Sequence, residues 1–368
     1  MTTTGELSYV STGGQDVPVI TMKGTPHQCG VQYGTVVREL ISYTVDAYLE
    51  SFYRHHGLRS EQIFEIAREF EPMIESYDPA TLEEMRGIAH GAGIPFEAVL
   101  TLNARSELVH GLKARLDEGC TSFAAVAPAT ADGSTIIGQN WDWSPAIRKS
   151  TVILDIERQG DPRILTMAEA GLVGKIGLNE AGVGLCVNFL LSDTRRFGTP
   201  VHLIRRKVLS APTFDSAVRS VVEADRALAA NYLIGHADGE VVDIEAWPGD
   251  VSLVTATDGV ISHSNHFLTA SDDRDDLGKL IYPDTLLRDG RLRERLTEHA
   301  GGIDVGTCQD ALRDHSNLPD SICRHLNPSE RQENQIETLG SVVIDLTNRS
   351  FGFCSGPPCQ GSFISLSF

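Results

Sequence analysis

Asp117-Glu118-Gly119-Cys120-Thr121-Ser122-Phe123, followed one turn later by Gly138-Gln139-Asn140-Trp141-Asp142, marks the point where the texture of the chain changes. Upstream, apolar residues recur at three-and-four spacing over 29–52 (Val36, Val37, Leu40, Ile41, Val45, Leu49), and the habit continues over 62–77 and 80–92. Pro95 suits the first turn of one more helix, running through Val99, Leu102 and Leu108. Downstream the period shortens toward two. Turn residues at Ala131-Asp132-Gly133, Asn179-Glu180-Ala181-Gly182, Ala237-Asp238-Gly239 and Thr257-Asp258-Gly259 separate short apolar runs, and each reads as a hairpin tip. Helical stretches return at 200–209, 214–222, 284–299 and 305–315, before two last strands at 341–346 and 350–354. Hairpins with helices inserted between them predict an α+β fold of antiparallel sheets covered by helices, rather than a doubly wound parallel sheet. No repeat or linker interrupts the chain, so one compact unit is expected, helical over 1–119 and sheet-bearing over 120–368.

A cysteine with no base at motif distance is ordinarily a buried small hydrophobe. Here a glycine precedes it, hydroxyl and apolar residues follow it, and a carboxylate motif lies one hairpin on, which suggests a nucleophile unmasked by cutting the chain. Breaking the Gly119-Cys120 bond would leave Cys120 with a thiol and a free α-amine on one residue. A thiol of pKa about 8.5 is mostly protonated at neutral pH, and an α-amine of pKa about 7.7–8.0 can take its proton. Before the cut the thiol must attack the Gly119 carbonyl; glycine tolerates unusual backbone angles and places no side chain in the attacker's path. The resulting oxyanion needs neutral donors, and Asn265, in Ser264-Asn265-His266-Phe267, is of the right type. Asp142, when ionised, cannot donate; it suits holding the new ammonium and orienting neighbours such as Asn140.

The 368 residues, 41% of them hydrophobic, suffice for a sizeable core. A formal net charge of -19 argues against nucleic acid or an anionic membrane as partner. No basic start precedes an apolar run, and no apolar stretch approaches about eighteen residues, so a soluble, cytoplasmic protein is expected. Seven cysteines, an odd number at irregular spacings, read as free thiols. Cys354 and Cys359 would be half a metal site, but no second cysteine pair or His-x-x-x-His accompanies them, and neither metal nor cofactor is expected. His263 and His266 raise a metal or Cys-His dyad as an alternative; with the α-amine available as base, they read instead as supporting donors. Asn348-Arg349-Ser350 fits a glycosylation sequon and reads as a turn between the final strands.

Gly-Cys-Thr-Ser-Phe from 119, Gly-Gln-Asn-Trp-Asp-Trp from 138, Lys175 to Gly184, Ser264-Asn265-His266-Phe267 and the upstream segment 89–108 together resemble the acyl-coenzyme A:6-aminopenicillanic acid acyltransferase family of N-terminal-nucleophile hydrolases. The resemblance implies a four-layer αββα sandwich with an N-terminal helical region, autoproteolysis at Gly119-Cys120, and chemistry on amide or thioester acyl groups. It matches Cys120 to the nucleophile, Asp142 to the active-site aspartate, Asn265 to the oxyanion asparagine, and Arg324, in Ser321-Ile322-Cys323-Arg324, to an arginine near the active site. Two departures are a longer Ala127-to-Asp132 turn and a Ser365-Leu366-Ser367-Phe368 end that is not a peroxisomal tripeptide. The expected activity is hydrolysis of a small N-acyl compound through a thioester, since water is the acceptor available by default, with the two cleaved chains staying associated. Alternatives are acyl transfer to an amine such as 6-aminopenicillanic acid, and a binding protein that never cleaves.

Overall fold

The computed structural model describes residues 5–111 and 119–368, so Asp117 and Glu118 lie outside the described residues. The chain opens with a hairpin that helical periodicity leaves unread: β1 (Glu6–Thr12) and β2 (Gln15–Gly24), turned at Gly13 and Gly14, both at positive φ. Then follow α1 (Pro26–Val36), α2 (Arg38–His56), α3 (Ser60–Arg68), α4 (Glu71–Tyr77), α5 (Pro79–Ala92), α6 (Phe96–Asn103) and α7 (Arg105–Gly111). The apolar spacing over 29–52 thus spans two helices, broken at Val37, whose φ of -125° and ψ of 32° leave the helical region. Spacing registers which face is apolar and is blind to a one-residue break that keeps that face.

Beyond Gly119 the order is β3 (Gly119–Ala125), β4 (Ile136–Trp143), β5 (Thr151–Arg158), β6 (Ile164–Glu169), β7 (Ile176–Asn179), β8 (Val183–Phe189), α8 (Val201–Leu209), α9 (Phe214–Val222), β9 (Ala230–His236), β10 (Val241–Trp247), β11 (Asp250–Val254), β12 (Val260–His263), α10 (Gly278–Ile281), α11 (Asp284–Thr297), α12 (Val305–Leu312), β13 (Glu337–Asp345), β14 (Ser350–Ser355) and β15 (Ile364–Leu366). Among the described residues the strands form two sheets, ordered β1-β2-β5-β6-β7-β8-β9-β10-β11 and β12-β3-β4-β13-β14-β15. Pairing is antiparallel except where β2 lies parallel to β5, two strands separated in sequence by the whole helical region and the β3-β4 hairpin. Thr257-Asp258-Gly259 is a tight turn closed by paired hydrogen bonds between Thr257 and Val260, each at 3.0 Å, but the strands it joins do not pair: it carries the chain from β11 in the larger sheet to β12 at the edge of the smaller one.

Strand alternation builds the layers. Ser122 and Ala124 of β3 turn toward the larger sheet, Ser122 Oγ donating to Asn188 Oδ1 of β8 at 2.6 Å. Phe123 and Ala125 turn the other way, under Leu292 and Leu296 of α11 and Cys308 and Leu312 of α12. α1, α8 and α9 cover the larger sheet, so the order is helix, sheet, sheet, helix. The helical region is bound tightly to this sandwich. Gly30 and Gly34 of α1 meet Gly87 and Gly91 of α5 backbone to backbone, where a Cβ at Gly30 would lie 2.0 Å from the Glu84 carbonyl oxygen. Glu84 itself, buried on α5, pairs with Arg158 of β5 at 3.1 Å and Arg206 of α8 at 2.9 Å.

Candidate active site

Cys120, second residue of β3, is 6% exposed and gripped at its backbone. Its N–H donates to Asn265 Oδ1 at 2.8 Å, and its carbonyl oxygen accepts from Ser264 Oγ at 2.9 Å and Arg288 Nη1 at 2.7 Å. Asn265 is held in turn: Oδ1 also accepts from Arg288 Nη2 at 3.0 Å, and Nδ2 donates to the Phe189 carbonyl at 3.0 Å. The carboxamide therefore presents its oxygen, rather than its nitrogen, to Cys120.

Asp142 stands opposite Gly119 in the β3-β4 register and is fully buried. Thr338 Oγ1 donates to Oδ1 at 2.7 Å, and Arg324 Nε lies 3.9 Å from Oδ2. Oδ2 has no hydrogen-bond partner among the described residues, and a Cβ at residue 119 would sit 2.9 Å from it. Burial raises the pKa of this carboxyl, and Arg324 and Arg288 offset only part of that. Asp284 at the start of α11 bridges the two arginines, 2.8 Å from Arg288 Nε and in contact with Arg324 Nη2. Burial works against its charge, but the two guanidiniums outweigh it and lower its pKa.

On the face of β3 turned to the larger sheet lies a buried charge network. Glu169 Oε1 accepts from Arg105 Nη2 at 2.6 Å and Lys175 Nζ at 3.1 Å, and Tyr48 Oη donates to Oε2 at 2.6 Å. Lys175 Nζ stands 3.4 Å from the ring centroid of Trp141, the residue opposite Cys120 in β4. Burial, more than the partly offsetting charge of Glu169, lowers the pKa of Lys175 to about 8.

His263 and His266 serve as braces. His266 Nδ1 pairs with Thr285 Oγ1 at 3.0 Å, and that hydroxyl accepts from the Asn265 N–H at 2.6 Å. Burial and the neighbouring His263 charge lower the pKa of His266 to about 4. His263 Nε2 meets Glu245 Oε1 at 3.0 Å and Nδ1 meets the Ser264 carbonyl at 2.8 Å, the pattern of an imidazolium donating from both nitrogens. Burial opposes that charge, but Asp243 and Glu245 push the pKa up to about 9. A folded value above the unfolded one of about 6.5 means that His263 stabilises the fold fully below about pH 6.5. The contribution is lost as pH rises through about 9. The thermal midpoint should fall across this window, and His263→Gln should flatten the slope; an undiminished slope in the variant would assign it to other groups.

The fold thus brings together Gly119, Cys120, Asp142, Asn265 and Arg324. Asn140 faces the helices instead, where its Nδ2 donates to the Leu312 and Ile322 carbonyls, each at 2.8 Å, bracing the segment that carries Arg324. Sequence reasoning passed over Ser264, Arg288, Thr338 and Lys175 as site residues. The one signal for Arg288 was its i,i+4 spacing from Asp284, which many surface ion pairs share. A cleft of about 400 Å³ opens on the Asp284-Arg324 pair, walled by Tyr282, Leu287, Asp320 and Asn327; Cys120 is not among its lining residues.

Residues 129–360 match the sequence model of a family described as acyl-coenzyme A:6-aminopenicillanic acid acyl-transferase. The chain is 31% identical over 345 residues to the 40 kDa form of acyl-coenzyme A:6-aminopenicillanic-acid-acyltransferase of Emericella nidulans, an alignment covering 92% of each protein. Among solved structures it is similar to penicillin V acylase from Agrobacterium tumefaciens, at 13% identity, 64% of this chain, 83% of that one and a TM-score of 0.44. It is also similar to a conjugated bile acid hydrolase from Clostridium perfringens, at 14%, 64%, 89% and 0.46. At these scores the structural likenesses add nothing to the layer order already described.

Proposed function

The chain belongs to the acyl-coenzyme A:6-aminopenicillanic acid acyl-transferase family, and we propose that it matures by cutting its own Gly119-Cys120 bond and then hydrolyses the amide of a small N-acyl compound. The observation that carries this reading is the buried Asp142 Oδ2 beside Gly119, without a hydrogen bond among the described residues and 3.9 Å from Arg324 Nε, one residue before a backbone nitrogen already held by Asn265. The cut would create an ammonium at that nitrogen, and Asp142 would then face a cation.

In maturation the Cys120 sulfur attacks the Gly119 carbonyl carbon, the C–N bond breaks, and the thiol proton passes to the departing nitrogen. Water then hydrolyses the thioester, leaving a Gly119 carboxylate and a Cys120 carrying both thiol and amine. In turnover the amine takes the thiol proton, and sulfur attacks the substrate acyl carbon. The leaving amine departs with the proton returned by the ammonium, and water releases the acid. Asn265 Oδ1 orients the amine, and its Nδ2, which gives one N–H to the Phe189 carbonyl, has a second N–H as the candidate oxyanion donor. Lys175, across Trp141 from the nucleophile, favours the thiolate by its charge. The cleft at Asp284 and Arg324 has the size and mixed lining of a small-molecule site. Intact-mass measurement of purified protein should give pieces of about 13 and 27 kDa from the 40.0 kDa chain, remaining associated because neither holds a complete core. A fully active, uncut chain would sink the maturation step.

A second reading, acyl transfer, is favoured by the 31% identity to a protein named for that reaction. Both share the acyl-enzyme and differ in what attacks it. Hydrolysis predicts free acid as the main product, with added amine diverting part of the flux to a new amide. Absence of acid without amine, together with rapid amide synthesis from an acyl-coenzyme A donor and 6-aminopenicillanic acid, would replace hydrolysis by transfer.

A further inference from the structure

The segment between α12 and β13 carries Arg324 to Asp142, and the residues on either side of that arginine belong to a second cluster. His315, Cys323 and His325 on this segment, and Cys359 in the 3-10 turn Pro358–Gln360, each direct one donor atom into a common space, all four within 4.8 Å of one another. His325 Nε2 lies 3.1 Å from His315 Nε2, 3.6 Å from Cys323 Sγ and 3.3 Å from Cys359 Sγ. A ring nitrogen has either one lone pair or one proton, so it cannot satisfy three partners by hydrogen bonding. A shared central ion can. Two nitrogens at about 2.0–2.1 Å and two sulfurs at about 2.3 Å from a tetrahedral centre stand about 3.3–3.8 Å apart, and the three spacings fall within or just short of that range.

We propose that His315, Cys323, His325 and Cys359 form a structural zinc site that fastens the Arg324 segment to the turn after β14. Two thiolates and two imidazoles make a soft, four-coordinate set that suits zinc and disfavours calcium or magnesium. Protein donors fill all four positions, which leaves none for a reacting water, as in sites that hold structure rather than perform chemistry. Uptake of the ion releases the two thiol protons to solvent, and the two thiolates balance its double charge. The site would fix both chain neighbours of Arg324, whose N–H donates at 2.9 Å to the same Thr338 hydroxyl that serves Asp142. Cys354, which sequence proximity places beside Cys359, takes no part in this cluster: it is buried, its Sγ directed to the Ser355 carbonyl at 3.8 Å.

The test uses the full chain purified under argon with reductant, metal content by mass spectrometry, and cobalt(II) titration after chelator treatment. About one zinc per chain is expected, with the intense visible bands of tetrahedral cobalt bound by sulfur and nitrogen. Cys359→Ser and His315→Ala, both at exposed positions, should each weaken zinc binding by at least the roughly 10- to 100-fold that loss of an outer partner costs. Chelator should lower the thermal midpoint of the wild type by more than that of either variant. A wild type that holds no zinc and gives no tetrahedral cobalt spectrum overturns the proposal. So does a Cys323-Cys359 disulfide in the protein purified under argon, or undiminished zinc binding by both variants.

Discussion

Cys120→Ala should remain a single uncut chain of 40.0 kDa and lose amide turnover by on the order of 10⁴-fold or more. In the proposed mechanism one sulfur performs both reactions, so its removal ends maturation and turnover together. Cys120→Ser separates them from folding: the hydroxyl fits the same buried position, but it is far harder to deprotonate and lacks the nucleophilicity of sulfur. It should fold with a near-native thermal midpoint, cut slowly or not at all, and turn over little substrate. Mass measurement and a substrate assay on the three proteins decide the matter. Cutting or wild-type turnover by Cys120→Ala would remove Cys120 from the chemistry.

The second large effect is on stability. Glu169→Ala leaves Arg105 and Lys175 buried without their shared carboxylate, and breaking a buried ion pair from one side costs about 3–5 kcal/mol. Lys175, with its pKa already near 8, can shed its proton and escape part of that cost. Arg105 cannot. A fall of about 4–6 °C in the thermal midpoint is expected for a chain of 368 residues. Glu169→Gln, which keeps hydrogen-bonding atoms in place, should fall less. An unchanged midpoint in Glu169→Ala would mean that the network adds nothing net to the fold.

The helix and hairpin pattern after Cys120 was readable because α9, α11 and α12 each bury one face, and because glycine turns bound β7-β8 and β9-β10. β5 and β6 escaped reading for the opposite reason. Nearly every residue in them is buried, between helices on one side and a sheet on the other, so no alternation survives in the sequence. At the site, Cys120, Asp142 and Asn265 stood out through short motifs. Arg288 did not: its importance comes from the packing of α11 against β3 and β12, and nothing local distinguishes it from other helix arginines. The four donors of the His325 cluster were equally hidden, since Cys359 joins the other three only after β13 and β14 have been laid down.

The contacts that hold the Gly119-Cys120 bond also impose an order of events on synthesis. Asn265 and Arg288 follow Cys120 by 145 and 168 residues. A ribosome makes Cys120 long before it makes either of them. In the proposed mechanism a half-made chain therefore lacks the apparatus for cutting itself, and the delay is written into linear distance along the polypeptide, with no inhibitor needed. By the time α11 docks, β2 can already lie alongside β5, with Val19 opposite Ile153 and Met22 opposite Ile156. On that mechanism the covalent link would be given up with a sheet already able to form across the break, and the chain would act as its own clock and its own splint.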